Sequence, residues 1–418
     1  MKAKLLCIAI CSAVAQAYAE SDAEVVLSTD YEHRTNINRS ATDPVDDDVW
    51  VYGGSASYQT QKQHGDVQLN YTVAHEKYLD ETNSDRDRIN GDAALNLYTS
   101  SRRLGVYAET RTAETSLDTL RAELPQNSNR VSSYQAGVQG RLRPSRRDAV
   151  DIRAGKIWVE SENDLLNSES ETAVVVWGHS LSARTSGGIQ LVYLSTSPDA
   201  EEIADYGTQK AGIFWQRQLK TGSALLQVGA AKTDAVKPSG DQVGYVGEAR
   251  LELESVTPRR SLQVTGGREL AGSGMGQGGN PNGGLRQTGN EFRLDIRDYF
   301  TADYRYQIAP QRLSWGLYGD YSHEKNQLAD DLNEATRVGT DFTWQFKFGG
   351  ELTLAADQIS RKRGLEASAE QQDELNYSLQ YRQEVARRVS VNCRYEVRQF
   401  ESGIESTILG CGLDVAAF

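Results

Sequence analysis

Apolar and polar side chains alternate with period two from one end of this chain to the other, which commits it to sheet, because successive side chains on a strand point to opposite faces. Val389, Val391, Cys393, Tyr395 and Val397 share one face, and Ser390, Asn392, Arg394, Glu396 and Arg398 the other. Phe342, Trp344, Phe346 and Phe348 alternate with Asp341, Thr343, Gln345 and Lys347, while Leu375, Tyr377, Leu379 and Tyr381 alternate with Asn376, Ser378 and Gln380. Ala249, Leu251 and Leu253 stand against Glu248, Arg250 and Glu252, and Val67, Leu69, Tyr71 and Val73 against Gln68, Asn70 and Thr72. A soluble sandwich alternates too, so the period alone leaves the class open.

The connections narrow it. Short turns fall at Gln63-His64-Gly65, Ser101-Arg102-Arg103, Pro144-Ser145-Arg146, Thr185-Ser186-Gly187, Lys220-Thr221-Gly222, Pro258-Arg259-Arg260, Ala309-Pro310-Gln311, Gly349-Gly350 and Ala386-Arg387-Arg388. Between them lie longer or more polar connections at 37–47, 79–87, 116–128, 163–170, 198–205, 234–241, 271–285, 326–333, 364–372 and around Ser402. Short periplasmic turns alternating with longer extracellular loops are the design of an outer-membrane barrel. The expected fold is therefore all-β, a transmembrane antiparallel up-and-down barrel of about twenty strands, with eighteen as the alternative count.

The start of the chain agrees. Lys2 and Lys4 precede an apolar run from Leu5 to Val14, and Ala17-Tyr18-Ala19 offers a small-x-small cleavage site, so 1–19 is expected to be a cleaved signal peptide and 20–418 the barrel. Cys7 and Cys11 lack the small preceding residue of a lipidation site. No later segment holds the ~18 consecutive apolar residues of a transmembrane helix. With 25% charged residues and a net charge of -13, nucleic acid is excluded as a partner. Low mean hydropathy fits a barrel, in which alternate residues line a wet interior.

Three details strain the pattern. Segments 150–160, 174–182 and 211–219 are blurred in phase, as bulges would make them. Asp298 shares the apolar face of Phe292, Leu294, Ile296, Phe300 and Tyr304, which suggests that this strand projects above the lipid band there. The chain ends on Phe418, but Gly412, Asp414 and Ala416 share its phase rather than Leu409, Cys411, Leu413 and Val415; a local bulge or a weakened assembly signal would follow.

Catalysis would need a nucleophile, base or metal cluster. His33, His64, His75, His179 and His323 show no ligand-like spacing, and Asp46-Asp47-Asp48 and Asp330-Asp331 read as solvated acidic loop tips rather than calcium sites. The 271–285 segment has Gly272, Gly274 and Gly276 but no following Lys-Ser/Thr, so it reads as a loop rather than a phosphate cradle. No enzyme activity, cofactor or metal is expected. Function is expected in the inward-facing residues, with Tyr98, Tyr107, Glu248, Arg250, Tyr318, Arg382, Arg394 and Glu396 as lumen-lining candidates. Planar hydrogen-bonding groups and aromatic faces suit sugars, though any wet barrel lumen is polar.

Cys393 and Cys411 are the cysteines of the mature chain. Each lies about nine positions from a turn near Ser402, so antiparallel pairing sets them opposite one another on the outward face, at a Cα separation of about 4.5 Å. A disulfide that locks the closing hairpin and two unbridged thiols are both open readings.

Tyr304-Arg305-Tyr306-Gln307-Ile308-Ala309-Pro310-Gln311-Arg312-Leu313-Ser314 is a Tyr-rich strand, a Pro/Arg turn and a restarting apolar strand, and Tyr381-Arg382-Gln383-Glu384-Val385-Ala386-Arg387-Arg388-Val389-Ser390 repeats it. The C-terminal third thereby resembles the EpsL-type porins of exopolysaccharide and capsule operons. The resemblance implies a passive outer-membrane conduit for a secreted polysaccharide. The partners it implies are outer-membrane lipid, the barrel-assembly machinery and periplasmic polysaccharide-export components. A general or solute-selective porin and a plugged structural surface barrel are the alternatives.

Overall fold

The computed structural model describes residues 22–116, 124–164, 167–199, 205–236, 240–254, 259–272, 294–309, 312–326, 331–365 and 370–416. Twenty strands run through them: β1 Asp22–Thr35, β2 Asp47–Lys62, β3 Gly65–Tyr78, β4 Arg86–Tyr98, β5 Leu104–Ser116, β6 Ser128–Leu142, β7 Asp148–Ser161, β8 Ser168–Ser182, β9 Thr185–Pro198 and β10 Tyr206–Leu219 in the first half. The second half holds β11 Gly222–Val236, β12 Gly240–Glu254, β13 Arg260–Gly272, β14 Leu294–Ala309, β15 Leu313–Asn326, β16 Asp331–Gln345, β17 Gly350–Leu365, β18 Glu370–Ala386, β19 Val389–Phe400 and β20 Glu405–Ala416. Each strand pairs antiparallel with its neighbours in sequence, and β1 pairs with β20 from Val26↔Ala416 to Thr35↔Thr407. That seam closes the sheet, so no strand presents an unpaired edge.

Every odd-to-even connection meets one rim, where residues 36–46 join β1 to β2 and 79–85 join β3 to β4. The even-to-odd connections meet the other rim and include the two-residue turns 63–64, 220–221 and 387–388. Turn chemistry shows where backbone strain is absorbed: Gly349 and Gly403 sit at φ +84° and +78° with open space beyond, a conformation glycine adopts at little cost. The turn expected at 185–187 lies at 183–184 instead, because Ser182 and Thr185 already pair across it. An epitope inserted at 81–84 is expected to be reachable on intact cells, and one at 183–184 to stay silent. The reverse pattern would invert the orientation.

The two faces separate as alternation requires. Leu27, Trp50, Val106, Leu191, Ile213, Val228, Val338 and Leu354 project outward and are exposed. Towards the short-turn rim the outer surface gathers rings, with Tyr304 and Trp315 edge-on at 6.0 Å and Trp344, Phe346 and Phe348 stacked in series at 5.1 Å. Indole donors on this face are satisfied within the sheet: Trp50 Nε1 donates to Thr29 Oγ1 and Trp315 Nε1 to Thr340 Oγ1, each at 2.7 Å.

Three expectations change. Of the blurred segments, 174–182 does carry an irregularity, a register shift at Ser180/Ser182, whereas 150–160 and 211–219 pair in unbroken register with both neighbours. Their phase blurs because apolar residues also face inward there; Val131, Ile157, Val159 and Leu194 form a buried cluster on the inner wall. Inward Phe214 lies over Gly188, where a Cβ would come within 2.7 Å of its ring. The acidic run at 46–48 is not a solvated tip. Asp47 is buried, accepting from Asp80 N at 3.1 Å and from Thr82 Oγ1, and Asp46 Oδ1 accepts from Asn36 N at 2.8 Å. Finally, β20 carries no bulge along its pairing with β1 or β19. Phe418, the 1–19 segment and most of the 271–285 loop lie outside the described residues.

Candidate functional site: the lumen wall

Because outward positions are fixed by the exposed apolar residues, their neighbours in each strand must face the lumen. By that alternation the eight expected lumen candidates fall at inward positions, and each contacts a neighbouring side chain. Arg102 lies over the Tyr98 ring at 5.0 Å. Arg153 lies over Tyr107 at 3.7 Å, and Gln135 Nε2 donates to the Tyr107 hydroxyl at 3.0 Å. Arg250 pairs with Glu248 at 3.0 Å, and Tyr299 OH donates to the same carboxylate at 3.3 Å. Tyr318 OH donates to Asp357 at 3.4 Å, beside Arg337, which pairs with Asp357 at 3.1 Å. Arg398 pairs with Glu396 at 2.6 Å, Arg382 donates to Ser390 Oγ at 3.4 Å, and Arg394 reaches Glu32 at 2.5 Å.

The densest part of the wall holds residues that alternation allowed but did not single out. Glu32 on β1 pairs with Arg34 at 2.6 Å as well as with Arg394 across the seam. Arg34 contacts Glu76 of β3 at 3.4 Å, and Glu76 also takes Arg86 at 2.7 Å and Arg88 at 3.2 Å from β4. A separate stretch places Arg297 of β14 between Glu269 at 3.4 Å and Glu324 at 3.2 Å, and Arg361 of β17 pairs with Glu374 of β18 at 2.8 Å. Together they form a girdle of guanidinium–carboxylate pairs on the inner wall.

The girdle lies towards the long-loop rim, and there the wall side chains pack against one another. Inward Glu32, Glu76, Asn129, Arg297, Asn333 and Glu374 each keep 5% exposure or less. Towards the short-turn rim, inward Gln59, Gln61, Arg141, Gln216, Arg305 and Arg382 are exposed. Two recesses open on that side. One of 430 Å³ is lined by Tyr98, Gln139, Arg141, Asp151 and Arg153, and one of 420 Å³ sits beside the β20–β1 seam.

Several outward charges are paired across neighbouring strands. Asp298 does share the face of Phe300, but Arg268 on β13 clamps it with two hydrogen bonds of 2.6 Å close to the long-loop end of β14. His33, His75 and His179 bond Asp48, Asp87 and Asp148 at 2.7–2.8 Å across neighbouring strands. No group of three or more His, Cys, Asp or Glu side chains placed to hold a metal ion occurs among the described residues.

Cys393 and Cys411 stand directly opposite on β19 and β20, with Cα atoms 4.0 Å apart and the sulfurs bonded. Thiol labelling of the denatured, unreduced mature protein is expected to find no free cysteine; two free thiols per chain would eliminate the bridge.

A closed antiparallel barrel of twenty strands, with an apolar exterior, aromatic rings at one border and a polar interior, defines an outer-membrane β-barrel, since only a closed sheet satisfies its backbone in lipid. No family model matches the chain and no curated protein matches it, so the expected EpsL-type relationship gains no support there. Among solved structures the chain is similar to OccK2 (OpdF) of Pseudomonas aeruginosa, at 11% identity and a TM-score of 0.46 over 95% of this chain and 98% of that one. It is also similar to OccK2 in complex with glucuronate, at 9% identity and a TM-score of 0.45 over 96% and 97%. A third is the outer membrane protein opdK from the same organism, at 12% identity and a TM-score of 0.42 over 95% and 98%. The architecture stands on the strand register; likeness of this degree says nothing of what passes through this barrel.

Proposed function

We propose that the chain is a solute-selective outer-membrane porin that passes small hydrophilic molecules, delivered to the membrane by its signal segment and the barrel-assembly machinery. One observation carries the reading: inward polar side chains are exposed towards the short-turn rim and packed as buried charge pairs towards the long-loop rim. Barrels of 16–18 strands already enclose an aqueous channel, so twenty strands leave room for water. A polymer in export would need an open path throughout, whereas a girdle of buried ion pairs on the wall favours passage of single solutes. The polar, hydrogen-bonded wall also favours solutes over an apolar cargo. The polysaccharide conduit implied by the sequence resemblance is therefore set aside in favour of the porin.

Liposomes carrying the purified barrel should swell in monosaccharide solutions and progressively less as sugar size rises through the oligosaccharides. Equal swelling with long oligosaccharides would restore the polymer conduit, and no swelling at any size would make the barrel a plugged structural one.

A further inference from the structure

The 420 Å³ recess at the seam has a shape and a charge that the girdle does not explain. It lies towards the short-turn rim of the lumen, between the starts of β17 and β19 and the middle of β1. Its floor is β20, where the inward positions 410 and 412 are both glycine. These glycines hold no side chain because others lie across them. A Cβ on Gly412 would collide with Asp30 Oδ1, and one on Gly410 would stand 2.8 Å from Glu32 Cγ. The seam wall is thereby flattened into a hollow whose size falls within the roughly 300–1,000 Å³ of small-molecule sites.

The groups around the hollow are planar and mixed. Gln380 and Arg382 supply donors from β18, and Asn392 supplies an amide from β19. Asp30, Glu351 and Asp414 supply acceptors. Arg394 is taken up by Glu32 at 2.5 Å, which closes one charge pair. The remaining carboxylates are not neutralised: Asp414 accepts from the Asn392 amide at 3.0 Å, Glu351 accepts from the Gln345 amide at 3.2 Å, and Asp30 makes no hydrogen bond or ion pair among the described residues. Arg382 is the one guanidinium left to set against those three carboxylates, so the recess carries a negative surplus. Convergent donors and acceptors suit the hydroxyls of a sugar-sized ring, and the surplus repels a ligand carboxylate at close range.

We propose that this recess is a solute-binding station that accepts neutral or cationic sugar-sized polyols and rejects those bearing a carboxylate. The inference rests on the porin reading and adds its substrate class. Its test uses glucose, glucosamine and glucuronate, three solutes of one ring size that differ in charge, in swelling assays on liposomes bearing the intact barrel. Glucose and glucosamine are expected to enter on the order of fivefold faster than glucuronate, the ratio that about 1 kcal/mol of repulsion produces. The combined variant Asp30→Asn, Glu351→Gln, Asp414→Asn should bring glucuronate level with glucose. Arg382→Gln, which moves the charge the other way, should widen the gap, so one informative variant remains if the other fails to assemble. Heat-shifted mobility on gels confirms assembly of each. Glucuronate entering as fast as glucose in the unmodified protein, or both assembled variants keeping its ratios, would overturn the station while leaving the porin standing. Entry of none of the three would overturn both.

Discussion

Replacing Glu76 with alanine is expected to destabilise the barrel by about 3–5 kcal/mol, the cost of stripping the partner from buried charges. Glu76 is 1% exposed, and its two oxygens serve Arg34, Arg86 and Arg88 from two other strands. Without it, three guanidinium groups face one another on a wall that has little water to screen them. Arg88→Ala should cost much less, because Glu76 keeps Arg34 and Arg86 and Arg88 is itself 44% exposed. Denaturant unfolding in lipid vesicles, followed through strand content, measures both. Equal losses for the two variants would mean that the girdle is held by packing around it rather than by its central carboxylate.

The second large effect separates the two faces at adjacent positions. Val228 stands near the middle of β11, outward and 47% exposed, while Gln227 beside it faces the lumen and donates to Gln190 at 2.7 Å. Arginine at 228 is expected to cost about 2–4 kcal/mol, the penalty for a cation at the bilayer midplane. Arginine at 227 should cost no more than about 1 kcal/mol, the worth of the hydrogen bond it gives up. The same vesicle unfolding reads the difference, and matched costs would show that the apolar exterior does not meet hydrocarbon.

The contrast between 227 and 228 is legible in the amino-acid sequence itself, since neighbouring residues on a strand take opposite faces. Strand number, antiparallel order and the two kinds of rim follow from alternation and turn residues, because those signals are local. The inward apolar patch does not, since Val131, Ile157 and Val159 break the two-sided pattern and mimic a slipped phase. Asp298 reads as a bare carboxylate that the strand must carry above the lipid band, because its neutralising partner Arg268 lies 30 residues away, on the far side of a long connection. The lumen residues can be assigned a face but not a role. Glu32 meets Arg394 at a separation of 362 residues, through a seam that exists only once the barrel has closed. The cysteine pair is more accessible, because a single hairpin fixes its register.

Whether water and solutes cross the barrel past the girdle is tested most directly by single-channel recording in planar bilayers. The assembled protein should insert as discrete, stable conductance steps, and the triple carboxylate variant of the seam recess should shift its ion selectivity towards anions. Assembled barrels that insert without conductance would contradict the porin.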